Sequence, residues 1–169
     1  MSQSSLCGNH SISKSFNFVY GHRLWNQVVA PCKCKYLHGH NGRLTLSLSG
    51  DLTRGMVLDF NELKSFKDLI DSLFDHRFFI DSHDPLLQHW IEIYSLTLRS
   101  TSLGYQQVVH HESACLKELF DSLIILPYEP TAEHLCMFFK DLTLPFSWSG
   151  LVQSIELFET DSSSAKVIL

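Results

Sequence analysis

The stretch His38-Gly39-His40-Asn41-Gly42-Arg43-Leu44-Thr45-Leu46-Ser47-Leu48-Ser49-Gly50 alternates apolar and polar residues along its second half. Leu44, Leu46 and Leu48 fall on one parity and Thr45, Ser47 and Ser49 on the other, which is the period-two signature of a half-buried strand. In extended chain, residues two apart point the same way. His38 and His40 therefore share the even-numbered face with the leucines. Upstream, Ile12, Phe16, Phe18 and Tyr20 alternate with Ser11, Ser13, Ser15 and Asn17 in a second strand of the same kind, and His22 continues its apolar face. Were the two strands antiparallel neighbours, the three imidazoles would meet. Three neutral imidazoles with one open position describe a catalytic zinc site, because structural zinc sites close all four positions, usually with cysteine. A bare His-x-His pair is more often the pattern of ordinary hydrogen-bonded histidines.

Working outward, a loop containing Pro31 joins the two strands, and Gly50-Asp51 reads as a turn before a short strand at Met56 to Leu58. Asp59 is placed to cap a helix in which Phe60, Leu63, Phe66, Ile70, Leu73 and Phe74 recur at helical spacing. Residues 86 to 122 have no clean period; Leu86 to Tyr94 and Leu116 to Phe120 suggest short helices. Leu123 to Leu126 is a brief apolar run. Thr131, after Pro130, is a good N-cap for a helix bearing Leu135, Phe138, Phe139 and Leu142. Leu151, Ile155 and Leu157 then alternate in a strand ending at Glu159, and Lys166 to Leu169 adds an edge. This order predicts an α+β fold with a mainly antiparallel sheet.

A chain of 169 residues suits one domain over 1–169 with a single core. Hydrophobic residues at 44% and twelve phenylalanines exclude a disordered polypeptide. A formal net charge of -5 argues against a nucleic-acid or anionic-membrane surface, both of which need excess Lys and Arg. No segment has the uninterrupted apolar length of a spanning helix, and the opening MSQSSLCGNHSIS has neither a basic flank nor an apolar stretch. The expected location is the cytoplasm. Five cysteines, at 7, 32, 34, 115 and 136, fit reduced thiols better than a disulfide framework.

Cys34 lies four residues ahead of His38, within reach of the metal face, and Lys33 and Lys35 beside it favour the thiolate, though exposed lysines do so only modestly. The Cys32-Lys33-Cys34 pair is also the pattern of a small metal site or of inert thiols. Asp75-His76, at the end of the first helix, is a candidate for orienting a base, because a carboxylate holding one imidazole nitrogen sets its tautomer. Adjacent helical side chains do not face each other, so this pair needs a bend or an interface. Glu159 places an acid where the strand pattern asks for a hydrophobe; a ligand donating two N–H groups would satisfy it, as would water at the strand end.

The segments FVYGHRL, CKCKYLHGHN, GMVLDFNELK, LFDHRF, PTAEH and LFET, taken in order, resemble the 6-pyruvoyl-tetrahydropterin synthase and 6-carboxytetrahydropterin synthase family over residues 16 to 81 and 127 to 160. The resemblance implies that His22, His38 and His40 hold zinc, that Cys34 is the catalytic thiol with Asp75 and His76 relaying its proton, that Glu159 anchors the pterin, and that Thr131 lies at the substrate. It implies the tunnelling fold: a four-stranded antiparallel sheet with two main helices on one face, here with an extra segment at about 83–125. It also implies a homohexamer built as a dimer of trimers, with active sites at the interfaces. The implied reaction converts 7,8-dihydroneopterin triphosphate to 6-carboxytetrahydropterin, acetaldehyde and triphosphate. The alternatives are triphosphate elimination alone, giving the pyruvoyl product, and a silent zinc- or pterin-binding scaffold. Arg23, Lys33, Lys35 and Arg43 are candidate triphosphate contacts.

Overall fold

A computed structural model describes residues 10–28 and 32–169. Cys7 with the opening segment, and Pro31 with the two residues before it, lie outside them. The elements run β1 (His10–His22), β2 (His38–Gly50), α1 (Lys64–Leu73), β3 (Arg77–Asp81), α2 (Pro85–Tyr94), β4 (Thr97–Ser100), β5 (Gln106–His110), α3 (Lys117–Asp121), β6 (Leu123–Leu126), α4 (Ala132–Asp141), β7 (Val152–Thr160) and β8 (Ser163–Ile168). The α+β expectation holds, and β1 and β2 pair antiparallel along their whole length from His10↔Gly50 to His22↔His38.

The four-stranded sheet does not hold. Among the described residues the sheet has eight strands, ordered β4-β5-β6-β3-β1-β2-β7-β8. Four contiguous antiparallel strands, β1, β2, β7 and β8, are the expected unit. Beside β1 the sheet continues through β3 and β6, both paired in parallel, and ends in the β4–β5 hairpin. Alternation is absent from β6 because it is buried on both sides, as interior parallel strands are. Phe79, Ile124 and Leu126 join the main core with α1 and α4, whereas Ile80, Leu123 and Ile125 join a second cluster with Leu87 and Phe120. The segment at 83–125 thus supplies the β4–β5 hairpin that extends the sheet and the helices α2 and α3 that cover its opposite face, so the helices are not confined to one face.

Other differences are local. Asp59 caps a 3-10 turn, Phe60–Leu63, that leads into α1, and Phe60 is exposed. The strand expected at Met56 reduces to one bridge, Thr53↔Met56. A register shift opposite Ser47 and Leu48 puts Val152 in line and leaves Leu151 in a preceding 3-10 turn. Phe16, Phe18, Tyr20, Leu44, Leu46, Leu48, Ile155 and Leu157 form the floor on which the buried Phe66, Ile70, Leu135 and Phe139 of α1 and α4 pack. Full burial of each such side chain is worth about 1.5–3 kcal/mol.

Candidate active site and metal centre

Register delivers the three histidines to one place. His22 faces His38 across β1 and β2, and Tyr20 faces His40, so the imidazoles of His22, His38 and His40 cluster at the end of the core face. One ligand atom from each lies within 4.8 Å of the others, and the Nε2 atoms of His22 and His40 are 3.1 Å apart. The Nδ1–H of His22 donates to the Pro130 carbonyl at 2.7 Å and that of His38 to the Tyr36 carbonyl at 2.8 Å. With Nδ1 committed, the Nε2 lone pairs of His22 and His38 are free to bind, the arrangement by which a ring's outer hydrogen bond sets the tautomer of a ligand. Burial, reinforced by the charges of His38 and His40, lowers the His22 pKa to about 4, against the opposing pull of the Pro130 carbonyl. His22 is therefore neutral, and the all-nitrogen cluster fits a metal ion.

Glu159 reaches the same place from β7. Its Oε1 lies 3.7 Å from His22 Nε2 and accepts a hydrogen bond from the Tyr20 hydroxyl at 3.4 Å; its side chain keeps 23% exposure, open to a ligand. Burial, then the Glu159 charge, raises the Tyr20 pKa, so the phenol stays a donor. Tyr20 fits because Gly42 lies under its ring: a Cβ there would sit 2.7 Å from Tyr20 Cε1. Sequence reading missed both Tyr20 and the Pro130 carbonyl. Thr131 caps α4, its hydroxyl accepting from the His134 N–H at 3.3 Å, which places Pro130 against His22.

Cys32 and Cys34 sit at a single 3-10 turn, Lys33–Lys35, on the segment entering β2. Both are partly exposed and reduced. Interaction with the Cys34 thiol, and then the Cys34 N–H that donates to Cys32 Sγ at 3.4 Å, draw the Cys32 thiol below its ordinary range, with Lys35 the smallest contributor. The same thiol contact, followed by burial and the charges at Cys32 and Glu159, pushes Cys34 up. The lysines thus do not make Cys34 the readier thiolate; its neighbour two residues back takes that position.

Asp75 and His76 do pair, His76 Nδ1 to Asp75 Oδ2 at 2.9 Å. The bend that allows it is the left-handed backbone of His76, at φ 59. The Val19 N–H donates to Asp75 Oδ1 at 2.7 Å, and that bond, ahead of the His76 contacts, lowers the Asp75 pKa. The pair borders a cleft of about 540 Å³ with Asn17, Val19, Asn41 and Arg43. These are odd-numbered positions of β1 and β2, the face opposite the histidines. Within one chain the pair is not brought to Cys34. Two of the candidate phosphate contacts are otherwise engaged: Arg23 pairs with the buried Asp84 at 3.0 Å, and Arg43 stacks over Phe158 at 4.0 Å.

A family model described as 6-pyruvoyl tetrahydropterin synthase matches residues 11–168. The 6-carboxy-5,6,7,8-tetrahydropterin synthase of Aquifex aeolicus is 31% identical over 92% of this chain and 95% of its own length. The enzyme of that name from Haemophilus influenzae is 30% identical over 90% and 94%. Among solved structures, an uncharacterized protein of Wolinella succinogenes superposes with a TM-score of 0.81 at 35% identity, covering 95% of this chain and 98% of its own. The 6-pyruvoyl tetrahydropterin synthase of Caenorhabditis elegans, at 17% identity and a TM-score of 0.60 over 95% and 96%, shares the fold.

Proposed function

This chain belongs to the 6-pyruvoyl tetrahydropterin synthase family, and from that premise we propose that it acts as a 6-carboxy-5,6,7,8-tetrahydropterin synthase on the route to queuosine, as its curated relatives are named. The substrate is 7,8-dihydroneopterin triphosphate and the products are 6-carboxytetrahydropterin, acetaldehyde and triphosphate. The observation that carries the reading is the convergence of His22, His38 and His40 beside the half-open carboxylate of Glu159. His22, His38 and His40 would hold zinc, whose chemistry there is that of a Lewis acid lowering the pKa of the substrate side-chain hydroxyls.

Glu159 accepts the 2-amino and N3–H pair of the pterin, a charge-assisted bidentate contact that orients the ring. Tyr20 holds one of its oxygens, which fixes the carboxylate rotamer. Cys34 exchanges a proton with the side-chain carbon next to the ring. Its raised pKa calls for a base, and His76, held in one tautomer by Asp75, suits that role. Because His76 lies on the other sheet face, it reaches Cys34 only from a second copy, which supports the tunnelling-fold assembly of trimers stacked into a homohexamer with sites at the interfaces. In that assembly residues 1–169 act as one domain. Among the described residues no helix is long and apolar enough to cross a membrane, consistent with the cytoplasmic location proposed for this enzyme.

Incubating the purified protein with 7,8-dihydroneopterin triphosphate tests the reading. Release of acetaldehyde with 6-carboxytetrahydropterin supports it; accumulation of the diketone without acetaldehyde would identify a pyruvoyl synthase, and no turnover a scaffold.

A further inference from the structure

Cys32 has no part in the reaction described above, yet it is the better placed of the two thiols to ionise. Its sulfur accepts a hydrogen bond from the Cys34 N–H at 3.4 Å. The two cysteines therefore lie side by side at one short 3-10 turn, and both side chains are partly exposed to water. By contrast Cys136 is buried in the core, its thiol donates to the Ala165 carbonyl at 3.1 Å, and burial pushes its pKa up to about 11. Reaction with an electrophile follows thiolate character and access. Cys32 has both, with a second thiol in position to resolve whatever adduct forms.

We propose that Cys32 and Cys34 form a redox site in which peroxide converts the adjacent thiols to an internal disulfide, reversibly withdrawing Cys34 from catalysis. The consequence for activity rests on the role given to Cys34 above; the chemistry of the pair does not. The Cys32 sulfur attacks one peroxide oxygen, the S–O bond forming as the O–O bond breaks and hydroxide leaves. The Cys34 sulfur then attacks the Cys32 sulfenic acid; the S–S bond forms, the S–O bond breaks, and the hydroxyl leaves as water with the Cys34 proton. Two thiols are oxidised by two electrons and one peroxide is reduced to two waters. A bridge across two residues closes a small, strained ring, and strained exposed disulfides are the easily reduced, regulatory kind. The device therefore spares Cys34 from over-oxidation to the irreversible sulfinic acid.

The test exposes the full-length, metal-loaded protein to a modest excess of hydrogen peroxide and maps the cysteine peptides by mass spectrometry, alongside turnover before and after dithiothreitol. Expected are a Cys32–Cys34 peptide lighter by about 2 mass units, a loss of turnover of at least about tenfold, and its return under dithiothreitol. Cys32→Ser should fold and turn over like the wild type but carry sulfinic acid at Cys34 after peroxide, with activity that dithiothreitol does not restore. Sulfinic acid at Cys34 of the wild type with Cys32 still reduced would overturn the proposal, as would bridges from either residue to Cys7 or Cys115. A Cys32–Cys34 bridge with turnover undiminished would leave the disulfide standing and instead overturn the catalytic role of Cys34.

Discussion

Pro130 and His22 are joined by a 2.7 Å hydrogen bond across the interior, from the imidazole Nδ1–H to the peptide carbonyl that precedes the cap of α4. The bond makes the start of α4 part of the candidate metal centre, since it fixes which nitrogen of His22 faces His38 and His40.

Replacing His38 or His40 by Ala should remove the metal. Purified wild-type protein is expected to carry about one zinc per chain, and either variant close to none, with turnover abolished. Leu44, Leu46 and Leu48 stay buried in both variants, so circular dichroism should remain native. Full occupancy in both variants by elemental analysis would refute the assignment.

Cys34→Ala should abolish turnover but keep its zinc, because the thiol is not among the three clustered ligands. Cys32→Ala should retain most activity. If iodoacetamide inactivates through Cys32 while the Cys34 variant still turns over, the roles are exchanged.

Glu159→Gln keeps the size of the side chain but sets an N–H against the pterin's N–H groups. Loss of one hydrogen bond and the added repulsion should weaken pterin binding by about 2–4 kcal/mol. Zinc content and melting temperature should hardly change, since the carboxylate is partly exposed. Unchanged affinity in calorimetry would reduce Glu159 to a solvated strand end.

Asp75 links stability to pH. Its folded pKa is lowered, first by the Val19 N–H, so its stabilisation is complete above the ordinary carboxyl value of 3.8 and is lost as pH falls through the lower folded value. Asp75→Asn should cost about 1 kcal/mol at neutral pH, where a charged acceptor is replaced by a neutral one, and nothing once both are uncharged. A deficit that persisted unchanged into strong acid would show that the charge is irrelevant.

Arg23→Met should lower stability rather than substrate affinity. Asp84 is fully buried and its carboxyl pKa is already raised by burial, with Arg23 opposing the rise. Removing the guanidinium leaves that acid unpaired, a loss of about 3 kcal/mol. A variant with wild-type melting and a much higher KM would return Arg23 to the phosphate site.

Much of the centre was legible because strands have a period of two. Parity alone put His22, His38, His40 and Glu159 on the core face, and the structure keeps all four there. What parity cannot carry is partnership between distant residues. The carbonyl of Pro130, the hydroxyl of Tyr20 and the carboxylate of Asp84 are set by tertiary approach, and no local pattern announces them. Asp75 and His76 needed a bend to meet, since regular helix spacing forbids it; which bend was not legible, because the left-handed turn at His76 is a single-residue event. The extra strands were hidden for the opposite reason. Leu123 to Leu126 is buried on both faces, so the alternation that marks a strand disappears, and β4 and β5 are too short to impose one.

All three clustered histidines belong to a single β-hairpin, and the His22↔His38 pair stands at the end where the connecting segment begins. An ion gripped there would act as a clasp across the base of the segment that joins β1 to β2, and that segment carries Cys34. Tying the ends of a loop together restricts every conformation between them. Occupancy of the candidate metal centre would then govern how freely the thiol wanders, and amide exchange along residues 32–37 would gauge whether the clasp is shut.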